Sequence, residues 1–201
     1  DFIYLPTGLN DRVLKATNHN DMNRDNLNTN LNYRFAKTGG AELNLDADYG
    51  FFKIRSNQYQ PNYYYLANGT TEISRAIYNM IAPTDINLYS VKADYETNYK
   101  NGRLGFGGKI GVVESDNDFQ RYDVYNSGKV LDTLKSNRFK YKENINAVYV
   151  NYNRQFKKGF MIQAGVRAEN TNSDGNSTGF KQVSNVMVPY DSTFSRNYTD
   201  V

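Results

Sequence analysis

The chain of 201 residues has no cysteine, no tryptophan and a single histidine, His19. The absence of cysteine excludes a disulfide framework and any thiolate metal site, but it does not fix the compartment. The formal net charge is only +3, and the basic residues are spread along the chain. No phosphate-binding stripe is visible, so no nucleic-acid partner is expected. No Ser-His-Asp order or thiolate nucleophile is present, so we expect no enzymatic activity.

Long hydrophobic runs are missing as well, and no segment approaches the roughly 18 apolar residues of a transmembrane helix. Strands can still cross a membrane, because in a barrel only every second residue faces lipid. Aromatic residues are abundant, with 18 Tyr and 11 Phe in a chain whose mean hydropathy is −0.75. Polar residues interleaved with aromatics are typical of strands with one wet face and one apolar face.

Three stretches alternate polar and apolar residues with the period of two that indicates β-strands. They predict hairpins over residues 27–51, 87–112 and 145–170. The clearest lies within YVNYNRQFKKGFMIQAGVRAENT, where each strand alternates for about ten residues, the length of a membrane-spanning strand. The predicted apolar face includes the following residues: Leu31, Tyr33, Leu45, Tyr95, Phe106, Val150, Ile162 and Val166.

Glycines predict how the three hairpins close. Loops of two or three residues are expected at 37–39, 101–102 and 157–159. Directly opposed residues must share a face of the sheet, and these loops agree with the faces read from the alternation. The opposed pairs predicted from these loops include Arg34 with Glu42, Asp94 with Lys109, and Val150 with Val166.

The alternation is lost between the hairpins, which predicts long loops over residues 52–85, 113–144 and 171–201. In the first loop, isoleucines at positions 73, 77 and 81 have helical spacing and predict a short helix that ends before Pro83. The second loop is predicted to turn at residues 126–128.

In the first 26 residues, Phe2 to Leu5 is predicted as a strand end that is closed by Pro6. Residues 8–26 predict mostly loop or, alternatively, the descending end of an extended strand. Tight turns at one end and long loops at the other are typical of outer-membrane barrels. The predicted fold class is therefore all-β, an antiparallel up-and-down hairpin meander that forms part of a transmembrane β-barrel with long extracellular loops.

Residues 163–171, QAGVRAENT, resemble the G-(L/V)-R-x-E-x-T strand of TonB-dependent receptors, in particular the outer-membrane receptor barrels of Bacteroidetes. Residues 147–152 and the turn at 157–159 fit the same pattern, and the rest of the chain resembles it loosely. The resemblance implies a 22-stranded barrel, closed by an N-terminal plug, that imports bulky and scarce ligands with energy relayed by TonB. Residues 1–201 would be a partial barrel segment of six to eight strands with no plug domain.

Four tyrosines are the candidate ligand-binding residues: Tyr59, Tyr63, Tyr64 and Tyr65. In the family that the chain resembles, loop aromatics often contact ligand. The alternative is an aromatic patch that packs the loop or lies at the membrane interface. Two oxygen-rich stretches, residues 116–118 and 174–176, are explained by turn chemistry more simply than by Ca²⁺, so we expect no metal and no cofactor.

The expected location is the outer membrane of a Gram-negative cell, and the expected partners are the lipid bilayer, a bulky ligand, and TonB through parts of the receptor outside this chain. Siderophore, haem, cobalamin, oligosaccharide and peptide ligands all remain open. Studied alone, a segment with two open edges and one apolar face is expected to self-associate. The alternative function is a soluble secreted all-β binding or adhesin-like module. It would bury the apolar face against a second sheet, so what covers that face discriminates between the two.

Overall fold

The computed structural model describes residues 1–4 and 10–201, which form one antiparallel sheet of ten strands. This confirms the predicted all-β antiparallel meander. The strands are β1 (Phe2–Tyr4), β2 (Asn10–Ala16), β3 (His19–Ala36), β4 (Glu42–Leu66), β5 (Glu72–Tyr99), β6 (Gly102–Tyr125), β7 (Gly128–Leu131), β8 (Asn137–Gln155), β9 (Met161–Val183) and β10 (Val186–Asp200). Short 3-10 turns at Thr133–Lys135 and Lys157–Gly159 precede β8 and β9.

The order across the sheet follows the chain. Both β2 and β3 pair with β4, and the remaining long strands follow as β5, β6, β8, β9 and β10, while the short β7 pairs with the end of β6. Within the described ranges no helix is long and apolar enough to cross a bilayer.

Proline explains why β2 and β3 are separate strands. They lie in one line and in the same register against β4, with a gap at residues 17 and 18. The gap lies opposite Pro61, whose carbonyl accepts a hydrogen bond from the Thr17 amide at 3.2 Å. Pro61 has no N–H to return the second bond of that pair. The ladder between β5 and β6 lapses in the same way at Ala82 and Pro83.

The sheet is a single layer without a core. In the described part of the chain, the buried hydrophobic side chains are Val13 and Ala147 alone. Seven of the eight residues predicted for the apolar face are exposed, among them Leu31 at 72% and Val166 at 60%, while Tyr95 is half-buried. No second sheet covers that face among these residues, so the alternative of a soluble two-layer module is not supported.

The three predicted long loops are wrong, because the strands continue through them. Strand β4 extends to Leu66 and turns tightly at residues 67–71 into β5, which spans 28 residues or about 90 Å. Similarly, β6 and β8 occupy most of 113–144, and β9 and β10 occupy most of 171–201. The predicted turn at 126–128 is confirmed, since residues 126 and 127 connect β6 to β7.

The physical reason is a change of phase in the apolar pattern. Apolar residues occupy odd positions of β4 up to Phe51 and then the even positions of Phe52 and Ile54. The same change occurs in β6 between Val112 and Val113. A strand whose apolar side switches faces looks aperiodic in sequence, although its backbone continues without interruption.

The predicted helix at positions 73–81 is also wrong, because these residues lie in β5. A spacing of four residues is even, so it places side chains on one face of a strand as well as on one face of a helix. The predicted loop is wrong for residues 10–26, which are mostly strand. The alternative, the end of an extended strand, is confirmed for 19–26, which continue the strand over 27–36 as β3, and Phe2–Tyr4 is a strand as predicted. Leu5 and Pro6 lie outside the described residues.

The turn at 157–159 is confirmed, with Gly159 at φ 82° and Val150 opposite Val166. The first turn lies one residue later than predicted, at 38–40, where the Lys37 amide donates to the Ala41 carbonyl at 2.9 Å. The register shifts by two residues and the faces are unchanged. Arg34 now lies diagonal to Glu42 and still contacts it at 2.8 Å.

The middle turn uses Lys100 and Asn101, both at positive φ (44° and 60°), rather than residues 101–102. Gly102 is in the strand because the Tyr152 side chain lies where a Cβ would be. The predicted pairing of Asp94 with Lys109 is therefore wrong: Lys109 lies opposite Lys92, and Lys92 contacts Asp94 at 2.6 Å.

Candidate functional site

The two faces of the sheet are continuous from β3 to β10. Every ladder between the long strands keeps one register, with a single irregularity between Tyr64 and Tyr65 at the end of the β4–β5 ladder. A side chain can therefore be assigned to one face by its position number. We call the face that carries Leu45, Val91, Val150 and Val166 the outward face, and its opposite the inward face.

The outward face carries an apolar band next to the turns at residues 38–40, 100–101 and 157–159. The band covers residues 43–51 on β4, 89–99 on β5 and 104–112 on β6. These are nine to eleven residues per strand, the length that crosses a bilayer in a barrel. Most of its large side chains are exposed, as expected for a surface whose solvent is lipid.

The band descends diagonally across the sheet, which gives the tilt of the strands. Its last apolar residue before the polar region is Leu27 on β3, Phe51 on β4, Tyr89 on β5, Val112 on β6, Val148 on β8 and Ala168 on β9. Relative to the ladder partners, this limit moves six residues toward the turns over five strand-to-strand steps. Six residues are about 20 Å and five steps about 24 Å, so the tilt is about 40°. Transmembrane barrels have tilts of about 35–45°.

The inward face at the same level is polar and connected. Arg103 contacts Glu96 at 2.6 Å and Glu42 at 3.3 Å, and Glu42 also holds Arg34. On β9, Arg167 forms an ion pair with Glu169. Mixed charge of this kind is what a water-filled barrel interior requires.

A tyrosine joins three strands on this inward face. The Tyr149 hydroxyl on β8 donates a hydrogen bond to Asp94 on β5. Its ring passes over Gly107 on β6, where a Cβ would lie 2.8 Å from the ring. Gly107 is therefore required by the close approach of Tyr149, not by its backbone angles.

Above the band, toward the turns at residues 67–71, 126–127 and 184–185, the outward face becomes charged and rings lie on the inward face. The outward face carries charges, namely Asp25, Lys53, Arg55, Asp85, Glu114, Asp116, Asp118, Arg138, Lys140, Lys142, Asp174 and Asp191. The inward face carries rings and aliphatic groups together with charged residues, among them Arg24, Arg121, Asp123, Glu143 and Arg196. We call the following set the inward aromatic surface: Phe52, Ile54, Phe119, Phe139, Tyr141, Tyr190 and Phe194. The sequence reasoning missed this set because it fell in predicted loops. Its signal in the sequence is the phase change of the apolar pattern.

An ionic ladder connects β6 to β8 on the charged outward face. Lys142 contacts Glu114 at 2.8 Å, and Arg138 binds both carboxylate oxygens of Asp116 at 2.6 and 2.8 Å. Hydrogen bonding to Arg138 holds the pKa of Asp116 below its ordinary value, and Glu114 raises the pKa of Lys142. Residues 116–118 and 174–176 are thus strand residues, and the turns predicted there are wrong. Over the described ranges, no group of three or more His, Cys, Asp or Glu side chains could hold a metal ion.

The ionic ladder between β6 and β8 predicts that the stability of the protein depends on pH. Because the pKa of Asp116 is lowered by folding, its stabilisation is complete above the ordinary aspartate pKa of 3.8 and is lost as the pH falls through the folded value. We expect Asp116→Asn to destabilise the protein at pH 7 and to have a decreasing effect toward pH 3. The measurement is urea unfolding in micelles of both proteins across this range. A difference that stays constant with pH would contradict the assignment.

The four candidate tyrosines do not form one surface. Tyr59, Tyr63 and Tyr65 lie on the outward face of β4, and Tyr64 lies on the inward face. The Lys15 ammonium lies 4.4 Å from the centre of the Tyr65 ring, and the Arg75 guanidinium 5.6 Å from that of Tyr63. Three consecutive tyrosines in a strand must alternate, which a loop assignment could not show.

Residues 33–201 match the model of the outer membrane protein beta-barrel family. No curated protein matches the chain. The match covers the apolar band, the polar inward face and the strands above them. The chain therefore belongs to the outer membrane protein beta-barrel family and is located in the outer membrane.

Proposed function

We propose that the chain is one wall of a TonB-dependent receptor that imports a bulky nutrient ligand through the outer membrane, in a role that involves no catalysis. The observation that carries this proposal is the strand at 163–171, whose sequence resembles that family. In the sheet its Val166 and Ala168 face outward, and Arg167 pairs with Glu169 on the inward side. The residues that give the resemblance thus fill the roles that a receptor wall requires. The plug and the contact with TonB are assigned to parts of the receptor outside these 201 residues.

Dependence on TonB tests the proposal. Nutrient depletion from the medium would be compared between the parent strain, a strain that lacks this protein and a strain that lacks TonB. We expect a compound that the parent removes to be left behind by both mutants, since import against a gradient requires the relayed energy. Removal of that compound by the strain without TonB would indicate a passive channel and would contradict the proposal.

Ligand selection is assigned to the inward side of the strands above the membrane, which leaves Tyr64 as the one candidate tyrosine in position to contact a ligand in the barrel interior. We expect Tyr64→Ala to reduce uptake of the receptor's nutrient roughly tenfold, on the scale of one lost ring contact. Tyr63→Ala is the matched control, because it removes the neighbouring ring from the outward face. Uptake rates in cells with equal amounts of each protein make the comparison. An equal loss in both variants would show that the face is irrelevant.

A further inference from the structure

The outward apolar band contains a groove across β5, β6, β8 and β9. Its volume is about 570 Å³, and it is lined by apolar outward residues, namely Val91, Ala93, Gly108, Ile110, Val148 and Ala168. Gly108 gives the groove its depth, because it has no side chain. Lys109 and Glu169 also border the groove, but the register places their side chains on the inward face. The outward surface of the groove is therefore apolar over these four strands.

The groove rises through the band along its length. Ala93 and Gly108 lie four residues below the limit of the band on β5 and β6, whereas Val148 and Ala168 are the limit on β8 and β9. Four residues of strand span about 13 Å. One end of the groove therefore lies well inside the band, and the other end opens at its upper edge. An acyl chain that descends from a headgroup layer follows such a path.

Asparagines occupy the upper end of the groove on the outward face. Asn146, Asn170 and Thr199 line this end, and Asn144, Asn172 and Asn197 lie in the next row of the ladders. We call the five asparagines the asparagine cluster. An apolar groove thus ends at a surface of uncharged amides.

Three amides of the cluster form a closed cycle of hydrogen bonds. Asn172 donates to Asn170 at 2.9 Å, Asn170 donates to Asn197 at 3.0 Å, and Asn197 donates to Asn172. An amide has two N–H groups and an oxygen that accepts twice, so the cycle uses half of this capacity. Asn170 also donates to the Thr199 hydroxyl at 3.0 Å. Among the described residues, Asn172 and Asn197 have no acceptor for their second N–H, so the cluster keeps both donors and acceptors for a ligand.

The rest of the band has a different upper boundary. On β3, β4 and β6 the first outward residue above the band is Asp25, Lys53 or Glu114. At the groove, amides replace these charges. Lys142 and Asp174 lie beyond the cluster, two residues further up β8 and β9, and Lys142 is already paired with Glu114. The polar end of the groove is therefore uncharged, unlike the boundary on those strands.

We propose that the groove binds a glycolipid of the outer membrane, with one acyl chain along the groove and the first sugar of the headgroup on the asparagine cluster. The occupant is a lipid because the groove lies in the apolar band of a protein located in the outer membrane, and a barrel turns this surface to hydrocarbon. Its head is a sugar because hydroxyl groups both donate and accept, as the free positions of the amides require. A phosphate diester would only accept hydrogen bonds and would leave the amide oxygens unpaired. The inference goes beyond the proposed function, since it involves no import.

Native mass spectrometry of the protein released from micelles tests the inference. The micelles contain equal amounts of glucosyl diacylglycerol, phosphatidylglycerol and phosphatidylethanolamine with the same acyl chains. We expect one retained lipid per protein, with glucosyl diacylglycerol favoured roughly tenfold over each phospholipid, on the scale of one or two hydrogen bonds. We expect Asn170→Ala to abolish this preference, because it opens the amide cycle, while the total amount of retained lipid persists.

Gly108→Leu places a side chain in the groove. We expect it to reduce retention of all three lipids roughly tenfold, on the scale of two lost methylene contacts. A Cβ at Gly108 would lie 3.4 Å from its nearest neighbour, the Ala147 carbonyl oxygen, so the backbone accommodates it. Ala168→Leu fills the groove from β9 and is expected to have the same effect. Ala164→Leu is the matched control with unchanged retention, because Ala164 is exposed on the outward face of β9 outside the groove.

The inference is overturned if no lipid is retained, if the three lipids are retained equally, or if Gly108→Leu and Ala168→Leu retain as much lipid as the unmodified protein. An equal loss in Ala164→Leu would overturn it as well. A dimer that Gly108→Leu dissociates would also overturn it, since the groove would then be a contact between copies. Thermal unfolding of each variant in micelles shows whether the sheet is intact. Glycolipid retention without energised uptake would contradict only the proposed function, and energised uptake without glycolipid retention would contradict only this inference.

Discussion

Ala164→Arg is expected to lower the stability of the protein inserted in lipid vesicles by about 2–4 kcal/mol. Ala164 lies within the apolar band on β9, exposed on the outward face and opposite Tyr152. An arginine near the middle of the bilayer costs about 2–4 kcal/mol in a transmembrane barrel. Since the net stability of folded proteins is about 5–15 kcal/mol, this is a large fraction of the total. Urea unfolding of the vesicle-inserted protein measures the loss.

Gln163→Arg is the matched control for this experiment. Gln163 is the preceding residue of β9, but it faces inward, opposite Asn153. Its guanidinium would enter the wet interior, so we expect a change below about 1 kcal/mol. Equal losses for the two variants would show that the lipid does not cover the face we assign to it.

Gly107→Ala is expected to destabilise the sheet by about 1–3 kcal/mol, the usual range for an overpacked position. The new Cβ would lie 2.7 Å from the Ala93 carbonyl oxygen, 2.7 Å from an Asp94 carboxylate oxygen and 2.8 Å from the Tyr149 ring. Backbone oxygen cannot move aside, so the ring would be displaced and its hydrogen bond to Asp94 lost. The measurement is the free energy of unfolding in micelles.

Gly111→Ala provides the comparison. Gly111 is an inward-facing glycine of the same strand, and a Cβ there would be 3.9 Å from its nearest neighbour, the Tyr89 carbonyl oxygen. We expect unchanged or slightly raised stability, because alanine restricts the unfolded chain. A loss as large as that of Gly107→Ala would mean that glycine is needed in β6 for its backbone and not for the ring of Tyr149.

Alternation in the sequence was sufficient to assign faces but not registers. The hairpin at 157–159 was predicted to the residue, because this stretch contains a single glycine, Gly159, and one tight turn fits its position. At the other two turns the faces were right and the partners were displaced by two residues. Turns that differ by two in register keep the same faces. At the middle turn, Gly102 lies in the strand with the Tyr152 side chain where its Cβ would be, a distant contact that no local pattern contains.

The strands above the membrane could not be recognised by a single apolar phase. The solvent on the outward face changes from lipid to water beyond Phe51, so the apolar residues move from the outward to the inward side at Phe52. A search that allowed the phase to invert once per strand would have extended β4 past Phe51 and β6 past Val112. It would also have separated Tyr64 from Tyr63 and Tyr65, and it would have joined Phe139 and Tyr141 to the interior.

The shared register of the long strands has a practical consequence for protein engineering. One residue inserted inside a strand would exchange lipid-facing and interior-facing side chains from that point onward. An insertion in the connections at residues 67–71, 126–127 or 184–185 leaves every ladder unchanged. The first of these lies about 40 Å above the end of the apolar band, given the strand rise and tilt. These three connections are therefore sites at which epitope tags or foreign peptides can be inserted without disturbing the wall that carries them.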